Sequence, residues 1–341
     1  VHVAAGLTPE QVKAYRIADN RVGQEAEWDE ELLRLELGEL ESLEFPLDLT
    51  GFDADELGVF MADPIEEGKT DPDEVPELPD DPVTKPGDVW LMGTHRLMCG
   101  DSTSIDAVDA LMDGVKANIC FTSPPYNAGS MNINGQSGTG VKYDKFDDNQ
   151  SSPEFMDFLR ANLGCMSAVC DEVFYNIGLV QNNKRVIFDL VSEFGDTFKD
   201  VIYWKKNSAA PHIQNGVINN LVEFILCFGD GKRKFVSPQF SQGTYWNVIE
   251  CANASGNKYS DVHKATFPVY LPQNIITNFT ARNAVVVDCF SGTGTTIIAG
   301  EMTGRSVYAM DMSPAYVDLA VNRWEAFTGN KATLDNSPEA M

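Results

Sequence analysis

The sequence predicts an α/β domain with a mostly parallel sheet, preceded by a small helical module. Three observations carry that prediction. From Gly87 onward, short β-rich runs alternate with helical stretches, the pattern of parallel strands joined by helical crossovers. Residues 62–86 hold Pro64, Pro72, Pro76, Pro79, Pro82 and Pro86 among many acids, the composition of an extended, self-repelling linker. Residues 7–60, ahead of it, carry helix signals.

In chain order, Thr8 before Pro9 and Glu10 reads as an N-cap with proline in the first turn, and leucines between Trp28 and Leu43 recur at helical spacing. Residues 1–61 are therefore expected as an acidic helical module, 62–86 as a linker, 87–330 as the α/β domain and 331–341 as a tail. Within the α/β domain, Ala117–Phe121 reads as a buried strand. A helix follows from Ser152-Pro153 through Cys170, with Phe155, Phe158, Leu159, Leu163 and Met166 on one side. Val173–Ile177, Phe198–Trp204, Leu221–Phe228, Ala284–Asp288 and Ser306–Met310 read as further strands, and Pro272–Phe279 and Thr296–Met302 as helices. Residues 128–150 are rich in Gly, Asn and Ser without periodicity; a loop of that length is expected to be mobile or functional.

Composition bounds the classes. With 341 residues and 43% apolar content, the chain can bury one large core or two modest ones. No apolar run is long enough to span a bilayer and no charged-then-apolar leader opens the chain, so a cytoplasmic protein without a membrane partner is expected. The chain opens at Val1 without methionine, which raises the expectation of a fragment of a longer polypeptide. Seven cysteines form no Cys-x-x-Cys pair, and several sit in apolar runs; free thiols, no disulfides and no zinc or other metal are expected. The net charge of −26 is unevenly spread. Residues 1–88 hold 25 acids against 6 bases, whereas residues 203–264 hold 7 bases against 4 acids. A positive stretch of that kind suits phosphate contacts, although a solvated lysine-rich loop would look the same.

Two short motifs carry chemistry. Ala284-Val-Val-Val-Asp288 is an apolar strand ending in a carboxylate, followed by Cys289-Phe-Ser-Gly-Thr-Gly-Thr-Thr296. Gly292 and Gly294 let the backbone turn sharply and approach a ligand. Alone, such a turn is weak evidence. A second strand, however, ends in Asp311, about 20 residues past the glycine turn, where an acid can bind ribose hydroxyls. The third glycine of the dinucleotide fingerprint is missing, which disfavours NAD and leaves S-adenosylmethionine, which needs no pyrophosphate cradle. The second motif, Thr122-Ser-Pro-Pro-Tyr-Asn127, lies well before the first.

In this order the pair resembles the S-adenosylmethionine-dependent DNA amino-methyltransferases of the permuted, beta-type N4-cytosine/N6-adenine family. The resemblance covers roughly residues 87–328 and implies a Rossmann-like methyltransferase fold. It places the cofactor against Asp288, Phe290, Gly292, Gly294, Thr295 and Asp311. The family motif is Asp-Pro-Phe-x-Gly-Ser-Gly-Thr-Thr; this chain has Cys289 for the proline, Thr293 for the serine, and Asp311 where the longer glutamate is commoner. His263 to Leu271 resembles the segment covering the methionine end of the cofactor, and Cys99-Gly-Asp-Ser102 the element closing the adenine pocket, with Asp101 as the contact.

Ser123, Pro124, Pro125 and Tyr126 are then the catalytic turn. An exocyclic amine is a poor nucleophile because its lone pair is conjugated into the ring, so two acceptors must hold its hydrogens and favour a pyramidal nitrogen. Ser123 Oγ and the Pro124 carbonyl fill those roles, the proline rings fixing the backbone in advance, and Tyr126 would stack on the flipped base. Asp is usual at the first position for adenine N6 and Ser for cytosine N4, so Ser123 favours N4-methylcytosine, with adenine N6 as the alternative. Cytosine C5 chemistry needs a Pro-Cys turn, and none occurs.

Target recognition is expected within residues 203–262, assisted by the loop 128–150. Lys205, Lys206, Lys232, Arg233 and Lys234 are expected to meet phosphates, and His212, Gln214, Asn215, Asn219, Gln239 and Gln242 are candidates for base edges. The run Gly6 to Asn20 resembles the helical end of the ParB/sulfiredoxin-like domain that precedes the methylase in some phage and bacterial proteins. That leaves a more distant alternative, a non-enzymatic DNA-binding or partition-like protein. Double-stranded DNA is the expected partner, and the resemblance also raises a homodimer; no cognate restriction enzyme can be read from the sequence.

Overall fold

The computed structural model describes residues 6–22, 30–43, 45–52, 56–57, 65–128, 147–180, 182–207, 218, 220–229, 245–251 and 267–335. These fall into two compact units, residues 1–64 and 65–341.

The first unit holds helices α1 (Pro9–Val22) and α2 (Glu30–Ser42) and a 3-10 turn, Leu47–Thr50. Thr8 caps α1 reciprocally. Its Oγ1 accepts from Gln11 N at 3.3 Å, and Gln11 Oε1 accepts from Thr8 N at 3.0 Å. Ala14, Ile17, Leu33, Leu37, Leu40 and Phe52 close a small core.

The second unit is built on one ten-stranded sheet in the order β10-β1-β2-β9-β8-β3-β4-β6-β5-β7. The strands are β1 (Val89–Met92), β2 (His95–Cys99), β3 (Ala117–Thr122), β4 (Cys170–Ile177), β5 (Phe198–Lys206), β6 (Val222–Gly229), β7 (Val248–Cys251), β8 (Val285–Asp288), β9 (Ser306–Asp311) and β10 (Thr333–Leu334). Among them β1 and β6 run against the rest. The five central strands β2, β9, β8, β3 and β4 are therefore parallel, and their carboxyl ends share one edge. That edge is where open α/β sheets bind ligands.

Helices cover both faces, as a parallel sheet requires. On one face α6 (Tyr270–Phe279), α7 (Thr295–Thr303) and α8 (Pro314–Thr328) pack through Ile275, Ile297 and Trp324. On the other, α3 (Ile105–Met112), α4 (Ser152–Val169) and α5 (Lys184–Glu193) pack through Leu111, Leu159 and Ile187. Strand β3 shows the alternation directly: Ile119 and Phe121 join the first core, Cys120 the second. All seven cysteines are buried free thiols packed as small hydrophobes.

One expectation changes. Residues 65–86 contain neither helix nor strand, yet they are not a self-repelling linker; they are strapped to the α/β unit by hydrogen bonds of their own acids, hydroxyls and backbone. Asp73 Oδ1 accepts from Val269 N at 2.8 Å, Glu66 N donates to Met302 O at 2.7 Å, and Thr84 donates to the buried Asp318. Hydrogen bonds at fixed geometry hold this chain of like charges in place, which composition alone cannot show. Within the stretch 203–262 expected for target recognition, the strand read at Leu221–Phe228 is present as β6. It lies between β4 and β5 with Ile225 to Phe228 buried, so part of the stretch is core sheet.

Candidate active site

The glycine turn is built by close packing. Gly294 has φ +77°, and a Cβ there would stand 2.8 Å from Ala320 Cβ on α8, so only glycine lets the turn sit on that helix. Gly292, at φ +49°, faces open space. The turn's carbonyl and hydroxyls are gathered by one buried guanidinium: Arg323 Nη1 donates to Thr293 O at 3.0 Å and to the hydroxyls of Thr293 and Thr295, each at 3.1 Å. Arg323 Nη2 donates to Pro72 O at 2.7 Å, so the strap reaches the back of the turn. Burial pulls this guanidinium down to about 10.

Two carboxylates flank the turn. Asp288 is buried, and its Oδ1 accepts from Thr122 Oγ1 at 2.7 Å and Phe290 N at 3.1 Å. This carboxylate therefore ties the end of β8 to the residue just before Ser123. Burial raises its pKa. Asp311 at the end of β9 accepts from Gly292 N at 2.9 Å through Oδ2 and from Ser313 N at 2.9 Å through Oδ1. Burial pushes it up to about 6, the Asp288 charge adding and the two N–H donors opposing. Ser291 Oγ and Ser313 Oγ are buried beside these groups with no partner among the described residues. Asp101 follows β2, whose Cys99 lies opposite Asp311; the carboxylate is exposed and accepts from Thr103 N at 2.9 Å. Asp101, Asp288, Phe290, Gly292, Gly294, Thr295 and Asp311 are thus brought to one edge. His263 lies outside the described residues.

The Ser123 to Tyr126 turn leaves β3 one strand away and is held by side chains. Asn183 Nδ2 donates to Tyr126 O at 2.8 Å. Asn127, at φ +56°, is tied to Gln150: its Nδ2 donates to Gln150 O at 3.0 Å and its Oδ1 accepts from Gln150 N at 2.7 Å. Residues 129–146 between these anchors lie outside the described residues. Ser123 Oγ lies 3.2 Å from Tyr126 Oη and 3.3 Å from Asn176 O, two groups able to take its proton. Asn176 Nδ2 donates to Ser123 Oγ at 3.2 Å and to Tyr126 Oη at 2.9 Å. Tyr126 Oη donates to Glu223 Oε2 at 2.7 Å, and its ring stands so near Gly178 that a Cβ there would meet it at 2.8 Å.

The expected phosphate contacts fare differently. Lys206 is ion-paired with Glu223 beside the Ser123 to Tyr126 turn, and its ammonium lies 4.9 Å from the Trp204 ring centroid. Lys205 pairs with Glu250 at 2.7 Å at the surface. Neither stands as a free cation, because each has a glutamate on a neighbouring strand. Lys232, Arg233 and Lys234 lie outside the described residues, as do His212, Gln214, Asn215, Asn219, Gln239 and Gln242. Sequence reasoning missed Asn176, Asn183, Glu223 and Arg323. Only Glu223 carried a signal: a lone acid inside the apolar strand run Leu221 to Phe228.

The order of turns and the edge they share define a class that known proteins share. A DNA methylase family model matches residues 117–322, and this chain belongs to that family. A second model, the ParB-methyltransferase HTH domain, matches residues 31–86. It begins beyond the run Gly6 to Asn20 and extends through the strap. Among curated relatives, the Type II methyltransferase M.BglI of Bacillus subtilis is 37% identical over 68 residues, which is 20% of this chain and 20% of that protein. The Type II methyltransferase M.Cfr9I of Citrobacter freundii is 27% identical over 144 residues, 41% of this chain and 48% of the relative. The chain thus spans from a fifth to about half the length of these relatives. Among solved structures, a cytosine-N4-specific PvuII DNA methyltransferase aligns with a TM-score of 0.53 and 20% identity over 71% of this chain and 90% of that one. That likeness establishes a shared methyltransferase fold.

Proposed function

We propose that this chain transfers a methyl group from S-adenosylmethionine to the exocyclic amine of a base flipped out of double-stranded DNA, with cytosine N4 as the favoured position. The observation that carries the reading is Ser123 Oγ, held on the turn after β3 with its proton directed to Tyr126 Oη or Asn176 O. A hydroxyl so placed keeps a lone pair for an incoming amine. S-adenosylmethionine, when bound, supplies an activated methyl on a sulfonium, so the protein needs to orient a nucleophile rather than generate a strong base.

The residues beside the glycine turn fit such a group. Gly292 leaves open space, the Asp311 carboxylate suits ribose hydroxyls, and the unpartnered hydroxyls of Ser291 and Ser313 await polar partners. Asp101 closes the same edge. The amine's two hydrogens would meet Ser123 Oγ and the Pro124 carbonyl, drawing the nitrogen toward a pyramidal shape, while Tyr126 supplies an aromatic face to the base. Transfer is direct and in line, with no covalent intermediate on the protein. Ser123 in place of an aspartate is what favours cytosine over adenine.

The test is to incubate the chain with unmethylated duplex DNA and S-adenosylmethionine, digest the product and identify the nucleosides by mass spectrometry. N4-methyldeoxycytidine is expected. N6-methyldeoxyadenosine would keep the enzyme class and overturn the base, and cofactor binding without any methylated nucleoside would sink the reading in favour of a DNA-binding role. Pairing of two chains is a separate proposal. Light scattering that returns the monomer mass at assay concentration would reject it.

A further inference from the structure

We propose that Glu223, ion-paired with Lys206, is a positioning residue that sets the hydrogen-bond polarity of the turn after β3. The proposal rests on the reading of Ser123 as the acceptor of the substrate amine.

Glu223 is an acid in an otherwise apolar strand, its side chain only 15% exposed. A carboxylate in that setting costs stability unless it is paired and hydrogen-bonded. It is both. Lys206 Nζ pairs with Oε1, and Lys206 is itself held over the Trp204 ring. Glu223 therefore presents an acceptor with no proton to give. Oε2 accepts from Tyr126 Oη at 2.7 Å and from Asn176 Nδ2 at 3.3 Å.

The consequence runs through single protons. Tyr126 has one hydroxyl proton, and Glu223 takes it. Its oxygen can then only accept, and it accepts from Asn176 Nδ2 at 2.9 Å. The Ser123 hydroxyl is left with two acceptors for its own proton, Tyr126 Oη and Asn176 O. Asn176 Nδ2 donates to Ser123 Oγ at 3.2 Å and fills one of its two lone pairs; with the Tyr126 proton taken by Glu223 and the Ser123 proton given away, the second lone pair is kept for the substrate. A serine hydroxyl is otherwise ambivalent between donor and acceptor. An aspartate at this position would need no such arrangement, being acceptor-only when ionised.

Glu223→Gln tests this with shape preserved. A glutamine amide can donate to Tyr126 Oη, which returns the tyrosine proton to Ser123 Oγ and fills the lone pair the amine requires. Turnover is expected to fall by about 10- to 100-fold, the size of a lost preorganised contact, while the cofactor dissociation constant and the KM for DNA stay unchanged. Because the effect passes through the Tyr126 hydroxyl, the same change in a Tyr126→Phe background is expected to cost less than about twofold more. Should Glu223→Gln fail to fold, the double variant Glu223→Leu/Lys206→Met replaces the ion pair with apolar groups and is expected to keep cofactor binding while losing turnover by a similar factor. Wild-type turnover in either variant, or an equal cost of Glu223→Gln with and without the tyrosine hydroxyl, overturns the proposal. Methyl transfer by the unsubstituted chain is the control that separates the two readings: its absence overturns the proposed function and this inference together, whereas its presence with an indifferent Glu223 overturns the inference alone.

Discussion

The two turns leave neighbouring parallel strands, β8 and β3, and are joined by the Thr122 to Asp288 hydrogen bond, yet they are built by opposite means. The glycine turn is fixed from behind, by backbone in the left-handed region, contact with Ala320 and a buried guanidinium reaching its carbonyl and hydroxyls. The catalytic turn is fixed from in front, by Asn176, Asn183 and Glu223 contributed by β4, the start of α5 and β6. The first arrangement shapes a surface before any ligand arrives; the second sets where protons point. Changes at one should therefore appear as binding or stability, and changes at the other as turnover.

Ser123→Ala is the sharpest probe of that division. It removes one acceptor from the catalytic turn and touches nothing behind the glycine turn. Turnover should fall on the order of 10² or more, with the cofactor dissociation constant unchanged by calorimetry. A wild-type rate would show that the turn after β3 is not the reacting site. Equal losses in binding and rate would show that the two turns are one cooperative unit.

Arg323→Met tests the other side. Arg323 is 3% exposed, and its loss leaves the Thr293 and Pro72 carbonyls without this donor, while the Thr293 and Thr295 hydroxyls keep only each other at 3.2 Å. Unsatisfied buried groups of this kind cost roughly 1–3 kcal/mol each, and partial relaxation puts the expected total at about 3 kcal/mol. Urea unfolding should report that loss, and cofactor affinity should fall with it. A variant that keeps its stability but loses turnover at saturating cofactor would break the division between the two turns.

The difference between the turns also explains what the sequence could and could not disclose. Ala284–Asp288 and Ser306–Met310 read as strands because a strand buried on both faces is a continuous apolar run, and Gly292 and Gly294 stand out because few other residues tolerate their backbone. Local chemistry sufficed for the glycine turn. The turn after β3 was visible in sequence as Ser123 to Tyr126, but its support was not. Asn176, Asn183 and Glu223 lie 50 to 100 residues downstream, and only the pairing of β4 with β3 and of β6 with β4 brings them in. Lys206 shows the same limit: its charge is visible in sequence, whereas the glutamate on the next strand that pairs with it is a product of register. Helix α8 went unread, although it supplies both Ala320 against Gly294 and Arg323 behind the turn.

A pH titration sharpens the comparison further. Asp311 is raised to about 6, so it is a carboxylate above that pH and a neutral acid below it. Only the ionised form leaves both oxygens as acceptors for ribose hydroxyls. Cofactor affinity should therefore be flat above about pH 7 and fall as pH drops through 6, approaching tenfold per unit once the acid is mostly protonated, or about 1.4 kcal/mol. Asp311→Asn should bind weakly at all pH values and lose this dependence. Retention of the same profile in that variant would assign it to another group, with the buried Asp288 first in line.

Asp73→Ala asks whether the strap belongs to the glycine turn's support at all. Read as composition, residues 65–86 are a charged linker in which one aspartate is as dispensable as the next. Read as structure, Asp73 is distinct: its Oδ1 accepts from Val269 N at 2.8 Å just ahead of α6, satisfying a backbone donor as an N-cap side chain would. Removing it should cost about 1 kcal/mol, measurable as a lower urea midpoint with unchanged slope. The exposed Glu77 has the same charge four residues on and should fall within about 0.5 kcal/mol of no effect. Were the two alanine variants equally stable, the strap would act through its backbone alone, and Arg323 to Pro72 would remain its link to the turn. A larger loss at Asp73 makes the acids of this segment part of the α/β unit's architecture, so the residues that look most like a spacer would be among those that hold the glycine turn in shape.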